Sequence, residues 1–364
     1  MIFEEYIDWY RQYYWSQRRQ SVNYPDGCVM TGLQKLYQAS GKEKYLDDVL
    51  WFGDQYIDLD GKIAGFRDIE HNLDQIRCGT IALFLYQQTG LAKYRKAAER
   101  LRKNLDTFPR TEMGNFWHKE IYPYQVWLDG LYMVMPFYLE YNRMFEENRV
   151  SDDVTMQFKN VRAHLFDEEK RLYKHAYDEK KVQPWADPEN GRSPSFWGRA
   201  VGWYVMALTD SYEWLQMDSQ ADSRILKELL QETAEGIMNY QEASGLFYQI
   251  LDQPNRADNY LETSASAMIS YALLKGARLS MLPEKYAALG ERIFQAILDF
   301  KLIRRKGELH LLDTCASAGL GPGTRRNGSG EYYCSERVEE DNAHGAAACM
   351  MAYSEILHHN LSGI

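Results

Sequence analysis

The sequence predicts an all-α fold, an (α/α)6 toroid with short β-hairpins on its loops, and three observations carry that prediction. The stretch GLQKLYQASGKEKY from Gly32 superimposes on GTIALFLYQQTGLAKY from Gly79: pairing Tyr37 with Tyr86 also pairs Gly41 with Gly90 and Tyr45 with Tyr94, a constant shift of 49 residues. Each copy reads as helix, glycine cap and second helix, the unit of a helical-hairpin repeat. Looser copies continue to the end of the chain, and strand signals are scarce.

Taken in order, the inner helices begin near Gly32 and Gly79 and continue at residues 124–141, 202–215, 264–274 and 345–357. Several open on Gly, Ala or Ser, as helices do when they crowd an axis. Pro123 marks the start of the third, because a first helical position needs no N–H. The partners at 222–240 and 283–300 carry charges on one face and apolar residues at i, i+3, i+4 on the other, the pattern of an outer layer. Six inner and six outer helices close a toroid. Short strands are expected at 246–250 and 308–312, and residues 1–364 are expected to form a single domain.

Bulk composition narrows the function. The 364 residues are 45% hydrophobic, enough for a sizeable core, and 14% aromatic, which suits either sugar stacking or the packing of a large helical core. A net charge of −10 argues against nucleic acid, whose phosphates need a basic surface. The first residues lack the marks of an export signal, and no run of about 18 apolar residues exists, so a cytoplasmic protein with no membrane span is expected. Five scattered cysteines without a CxxC pair suggest reduced thiols and no zinc site. No metal or nucleotide cofactor is expected: HExxH, the nucleophile elbow and the dinucleotide fingerprint are all missing. The Asn327 and Asn360 triplets fit the glycosylation pattern but mean little without a secretory signal.

Candidate chemistry collects before or just inside the inner helices, whose N-terminal ends reach one face of a toroid, so a single axial pocket is expected. Residues 114–137, GNFWHKEIYPYQVWLDGLYMVMPF, set His118 and Lys119 on a loop and Asp129 in the following helix. With Trp127, Leu131 and Tyr132 around it, the Asp129 carboxyl is expected to be desolvated and its pKa raised, as a general acid requires. A helical aspartate is otherwise a surface or structural group. Asp74, in HNLDQIRCG, supplies a second carboxylate, or a first-turn aspartate favoured by the helix dipole. In SFWGRAVGW, Ser195 is a candidate cap, and Arg199 is expected to stack on Trp203 four residues on; beside Trp197 it also suits a sugar carboxylate. His175, Glu262, Thr263 and His344 complete the set, and the loop 321–333 offers backbone amides to an anion.

The blocks FWHK, YPYQVWLDGLYM, FWGRAVGWYVMAL and ETSASAM make the chain resemble the unsaturated rhamnogalacturonyl hydrolases of glycoside hydrolase family 105, and more distantly the unsaturated glucuronyl hydrolases. The resemblance implies action on the 4,5-unsaturated uronic acid that a polysaccharide lyase leaves at the non-reducing end of a pectic oligosaccharide. It implies Asp129 as general acid and base, with Asp74 holding substrate and water. It further implies Tyr24, His118, Lys119, Trp127, His175, Trp197, Arg199 and Trp203 as pocket residues. The family's usual glycine-rich loop is replaced by GPGTRRNGSG with Arg325 and Arg326, which bears on the sugar that follows the uronate. A sugar epimerase or lyase using His118 and His175, and a non-catalytic sugar binder, are the competing readings.

Overall fold

The computed structural model describes residues 2–17, 20–146 and 150–361; Ser362 of the second glycosylation triplet lies outside them. Its helices are α1 (Ile2–Ser16), α2 (Tyr24–Ser40), α3 (Glu43–Tyr56), α4 (Leu73–Ile76), α5 (Cys78–Thr89), α6 (Ala92–Asp106), α7 (Leu128–Phe145), α8 (Ser151–Leu165), α9 (Gly198–Asp218), α10 (Gln220–Met238), α11 (Thr263–Arg278), α12 (Lys285–Phe300), α13 (Gly330–Ser335) and α14 (Ala343–Leu361). Helices α2, α5, α7, α9, α11 and α14 each pack on the next, and α14 returns to α2, so the inner ring closes. The helices α3, α6, α8, α10 and α12 lie against them from outside, and Phe3 of α1 packs on Phe294 and Tyr353.

The repeat seen in sequence is physical. Gly41 and Gly90 end α2 and α5 in the left-handed region, φ 65° and 67°, each returning its N–H to the carbonyl of Tyr37 or Tyr86. Only glycine takes that conformation without a Cβ penalty. The inner ring is tight enough that a Cβ on Gly79 would meet the Phe137 ring at 2.4 Å. Outer helices show the alternate character: α6 buries Tyr94, Ala97, Ala98, Leu101 and Leu105 and turns its lysines and arginines outward.

Among the described residues, four two-stranded antiparallel pairs decorate the loops: β1 (Gln125–Trp127) with β4 (Ala176–Asp178), β2 (Phe166–Asp167) with β3 (Leu172–Tyr173), β5 (Leu302–Arg305) with β6 (Glu308–Leu311), and β7 (Thr314–Cys315) with β8 (Val338–Glu339). The hairpin expected near 308–312 is β5–β6. At 246–250 the backbone makes only isolated bridges, Tyr248 to Leu261 and Ile250 to Trp197, because its partners are single residues of passing loops. The third inner helix also starts later than Pro123 suggests. Tyr124 has φ 62°, and residues 125–127 pair with β4 before the helix begins at Leu128. A β-ladder partner far away in sequence thus outcompetes the local proline signal.

Candidate active site

Strand β1 and helix α7 form one continuous piece of chain, and the β1–β4 register decides what faces Asp129. Trp127 pairs with Ala176, and the Leu128 N–H donates to the His175 carbonyl at 3.0 Å. His175 is therefore held beside the first turn of α7. Its Nε2 lies 2.9 Å from Asp129 Oδ2 and its Nδ1 lies 2.6 Å from the Tyr333 hydroxyl. The Asp129 side chain keeps 13% of its surface open, whereas His175 is fully buried.

A second junction fixes the other carboxylate. The Leu73 N–H donates to the His118 carbonyl and Asn72 bridges Lys119, so the loop carrying His118 and Lys119 runs alongside α4. Asn72 caps that short helix by accepting from the Asp74 N–H. Lys119 Nζ then lies 2.6 Å from Asp74 Oδ2, and His118 Nε2 lies 3.7 Å from Asp74 Oδ1. His118 stacks on Trp127 at 4.2 Å, Tyr122 covers the other part of that indole at 5.3 Å, and His175 meets it edge-on at 5.1 Å. Trp127 is thus the wall between the two histidines. A Cβ on Gly130 would press on Leu73 at 2.8 Å, so the glycine of the WLDG block lets α4 and α7 approach.

Electrostatics correct one expectation. Burial pushes the Asp129 carboxyl upward, but His175, through charge and hydrogen bond, and His118 outweigh it and hold the group below the usual carboxylate range. Burial drives His118 down to about 4, leaving a neutral ring near pH 7. Burial alone would lower Lys119 as well, yet the Asp74 carboxylate holds it above its ordinary value.

Arg199 is more committed than its sequence context suggests. It donates to Ser264 at 2.9 Å, to the Cys315 carbonyl and to Glu262 at 3.3 Å, while Glu262 caps α11 through the Ala265 N–H at 2.6 Å. Its guanidinium lies 5.5 Å over Trp197, whereas Trp203 stacks on Tyr132 at 4.9 Å, deeper in the axis. Arg199 therefore does not pair with Trp203: the Glu262 carboxylate draws it sideways. Only Nη1 of the guanidinium has no protein partner. Ser195 is no cap; Trp197 occupies that position. Trp197 instead donates to Gln249 at 3.0 Å and stacks on Tyr333 at 5.3 Å.

Tyr24 opens α2 and meets His344, which opens α14: the Tyr24 hydroxyl lies 2.7 Å from His344 Nε2. His344 Nδ1 lies 2.8 Å from Asn342 Oδ1, an oxygen that also accepts the His344 N–H. Nδ1 must then carry the hydrogen, so Tyr24 donates to Nε2 and keeps its lone pairs for another partner. A cavity of about 890 Å³ is lined by Tyr24 and His344 but not by Asp129 or Asp74. It lies beside α1 and the N-terminal ends of the inner helices α2 and α14. Asp74 and Asp129 both act on the Tyr24 hydroxyl electrostatically, and Tyr24 lines the cavity.

Asp129, Asp74, His118, Lys119, Trp127 and His175 are thus brought together as expected, with Trp197 and Arg199 behind them, Trp203 below, and Tyr24 across. Tyr333 and Gln249 were not foreseen as partners of this group. Nothing local marks them, since their role depends on α13 folding back over His175.

Comparison with known proteins fits this geometry. Residues 4–360 match the profile of Glycosyl Hydrolase Family 88. A solved glycoside hydrolase of family 105 from Clostridium acetobutylicum (C. acetobutylicum ATCC 824) is 41% identical, with TM-score 0.88 over 92% of this chain and 93% of that one. The unsaturated rhamnogalacturonyl hydrolase YesR of Bacillus subtilis is 29% identical over 284 residues, 76% of this chain and 75% of YesR. An unsaturated glucuronyl hydrolase from Bacillus sp. GL1 shares the fold, with TM-score 0.65 and 17% identity over 92% of this chain and 86% of that one. The six-hairpin toroid, the profile match across almost the whole chain and the similarity to the clostridial enzyme lead to one conclusion: the chain belongs to Glycosyl Hydrolase Family 88 and is a glycoside hydrolase of the unsaturated uronyl hydrolase kind.

Proposed function

We propose that the protein hydrates the C4=C5 double bond of a 4,5-unsaturated uronic acid at the non-reducing end of a lyase-generated oligosaccharide, with Asp129 as general acid and base. The observation that carries this reading is the Asp129–His175–Tyr333 chain, a partly open carboxyl backed by two fully engaged imidazole nitrogens. A substrate carboxylate arriving beside Asp129 is a like charge and moves the Asp129 pKa upward, toward the protonated form the reaction needs. Asp129 then gives its proton to C4 while positive charge develops at C5 and the ring oxygen. The resulting carboxylate draws a proton from the water that attacks C5. The hemiketal so formed opens, releasing the neighbouring sugar and a keto uronate. Asp74, held by Lys119 and His118, orients substrate and water, and the free Nη1 of Arg199 is available to the uronate carboxylate.

The relationship to YesR supports unsaturated galacturonyl-rhamnose as the substrate, rather than an unsaturated glucuronyl disaccharide from another polysaccharide. Decay of the ultraviolet absorbance of the conjugated uronate, followed on both disaccharides, decides between them. With Asp129→Asn, turnover falls by roughly 10²–10⁴-fold while the fold persists; a variant that keeps a tenth of the rate ends the proposal. An epimerase using His118 and His175 would leave the absorbance unchanged while altering stereochemistry.

A further inference from the structure

We infer that Arg326 is a specificity residue: its guanidinium takes the carboxylate of a second uronate, on the leaving side of the unsaturated one, so the enzyme favours oligosaccharides that carry a further negative charge. In this role Arg326 serves the hydration reaction proposed above, on which the inference rests.

The residue stands on the loop that joins β7 to α13, and that loop is fixed over the site. The Gly319 N–H donates to the Tyr332 hydroxyl at 3.0 Å, and the Gly321 N–H donates to the Arg326 carbonyl at 3.1 Å. Gly328, at φ 70°, lies where a Cβ would meet Leu320 at 2.8 Å, so the far limb of the loop folds back on the near one. A Cβ on Gly319 would stand 3.3 Å from the Trp127 ring and 3.6 Å from Arg326 Nη1. The missing side chain thus leaves guanidinium and indole as near neighbours. Trp127 is the wall between His118 and His175, two residues before Asp129. The cavity beside α1 is lined by other residues and not by Arg326.

What sets Arg326 apart is an uncommitted charge. The other cations named around the site are held by carboxylates: Lys119 by Asp74 at 2.6 Å, Arg199 by Glu262 at 3.3 Å, and Arg337 by Glu339. Among the described residues the Arg326 guanidinium has no ion pair and no hydrogen bond. Burial raises the pKa of the Tyr332 hydroxyl, and the Arg326 charge opposes that rise, so its field reaches the base of the loop. Arg326 is partly buried, whereas Arg325 beside it is exposed. Partial burial limits the screening by water and salt that leaves exposed charge pairs nearly worthless. A guanidinium also offers two parallel N–H donors in a fork that matches a carboxylate. A chain of net charge −10 repels an acidic oligosaccharide at long range, so such a ligand gains by its charge only where a local cation meets it. A neutral sugar draws no charge-assisted bond from this residue. The proposed substrate comes from a polymer of uronates and neutral sugars, and further carboxylates are the anions its leaving side can present.

The test follows the ultraviolet decay of two trisaccharides, the unsaturated disaccharide extended by a neutral sugar or by a uronate. The ratio of their kcat/KM values is the measure, because a folding defect lowers both and leaves the ratio alone. In the parent the acidic trisaccharide should be favoured roughly tenfold, through KM, at low ionic strength, and the advantage should shrink as salt is added. Arg326→Gln should bring the ratio near one, and Arg326→Glu should turn the preference toward the neutral trisaccharide. Arg325→Gln, at the exposed position, should change the ratio by less than about twofold. A parent ratio near one, a preference that survives Arg326→Gln, or an equal loss in Arg325→Gln overturns the inference and leaves the hydration reaction standing. If neither trisaccharide loses its absorbance, the hydration reading fails. A titration of tryptophan fluorescence with the saturated acidic trisaccharide then judges Arg326 alone: affinity roughly tenfold weaker in Arg326→Gln supports the role, and equal affinities refute it.

Discussion

Two ends of the same axis carry nearly the same side chains and do opposite things. At the N-terminal ends of the inner helices Asp129, Asp74, Lys119, His118 and His175 sit together with the carboxylates partly open. Near the C-terminal ends, about eleven residues and therefore roughly 16 Å further along each helix, Lys275 bonds Asp210 at 2.7 Å and Glu213 at 2.6 Å, Tyr271 donates to Asp210 at 2.6 Å, and Arg278 grips Glu355 through two bonds of 2.6 and 2.9 Å. Lys35 completes that set at 3.8 Å from Asp210. Burial raises the Asp210 carboxyl, but the lysines more than reverse it and hold it well below its ordinary range. The lesson is that ion pairing alone does not mark a reactive site. The sealed end has matched its charges with fixed partners, whereas the open end keeps His118 Nδ1 and Arg199 Nη1 without protein partners.

Variants should separate the two ends. The largest effect on rate comes from Asp129→Asn, a loss of about 3–5 kcal/mol of barrier lowering, with a melting transition close to the parent's. Lys275→Met is the mirror image: it takes the shared lysine from Asp210 and Glu213, leaving Asp210 only Lys35 and Tyr271, and costs about 3–5 kcal/mol of stability in urea unfolding, while molecules that remain folded turn over normally. Loss of turnover without loss of stability in that variant would show that the ends are coupled.

A pH experiment sharpens the contrast. Glu140, buried on α7 near the sealed end, is pushed up to about 8 by burial, against which Lys35 acts in part. The unfolded chain ionises this group near its ordinary value and the folded one only near 8. Its contribution is therefore fully present at low pH and is lost progressively as pH rises to about 8, by about 1.4 kcal/mol per unit. Glu140→Gln should remove that slope, so the variant gains on the parent between pH 5.5 and 8 in denaturant titrations. A constant difference across that range would refute the assignment. The smallest effect belongs to Tyr333→Phe, which takes one hydrogen bond from His175 Nδ1. A drop of about tenfold in kcat with KM little changed is expected, accompanied by a displaced pH–rate profile; an unaltered profile would leave Tyr333 a packing residue.

Much of this was legible in the chain. The glycine caps at Gly41 and Gly90 follow from a conformation that only glycine adopts cheaply, and the inner helices follow from their apolar, small-residue periodicity. The WLDG and FWHK blocks singled out Asp129, His118 and Lys119 because the three fall within one short stretch of chain. The start of α7 was misread because Pro123 speaks only to its own neighbours, while Ala176 to Asp178 decides that segment. The Arg199–Trp203 stack failed for a similar reason: helical spacing makes it possible, but Glu262, 63 residues away, competes better.

What the sequence determined by itself was local: repeat length, caps, the faces of helices, and Asp129 as the candidate acid. What only tertiary structure decided was the state of that acid and the shape of the space beside it. The pKa of Asp129 is set by His175, and the cavity by α1 and the α14 N-terminus. Electrostatic energy depends on distance in space and on water excluded by neighbours, and neither quantity is written in the order of residues along a chain.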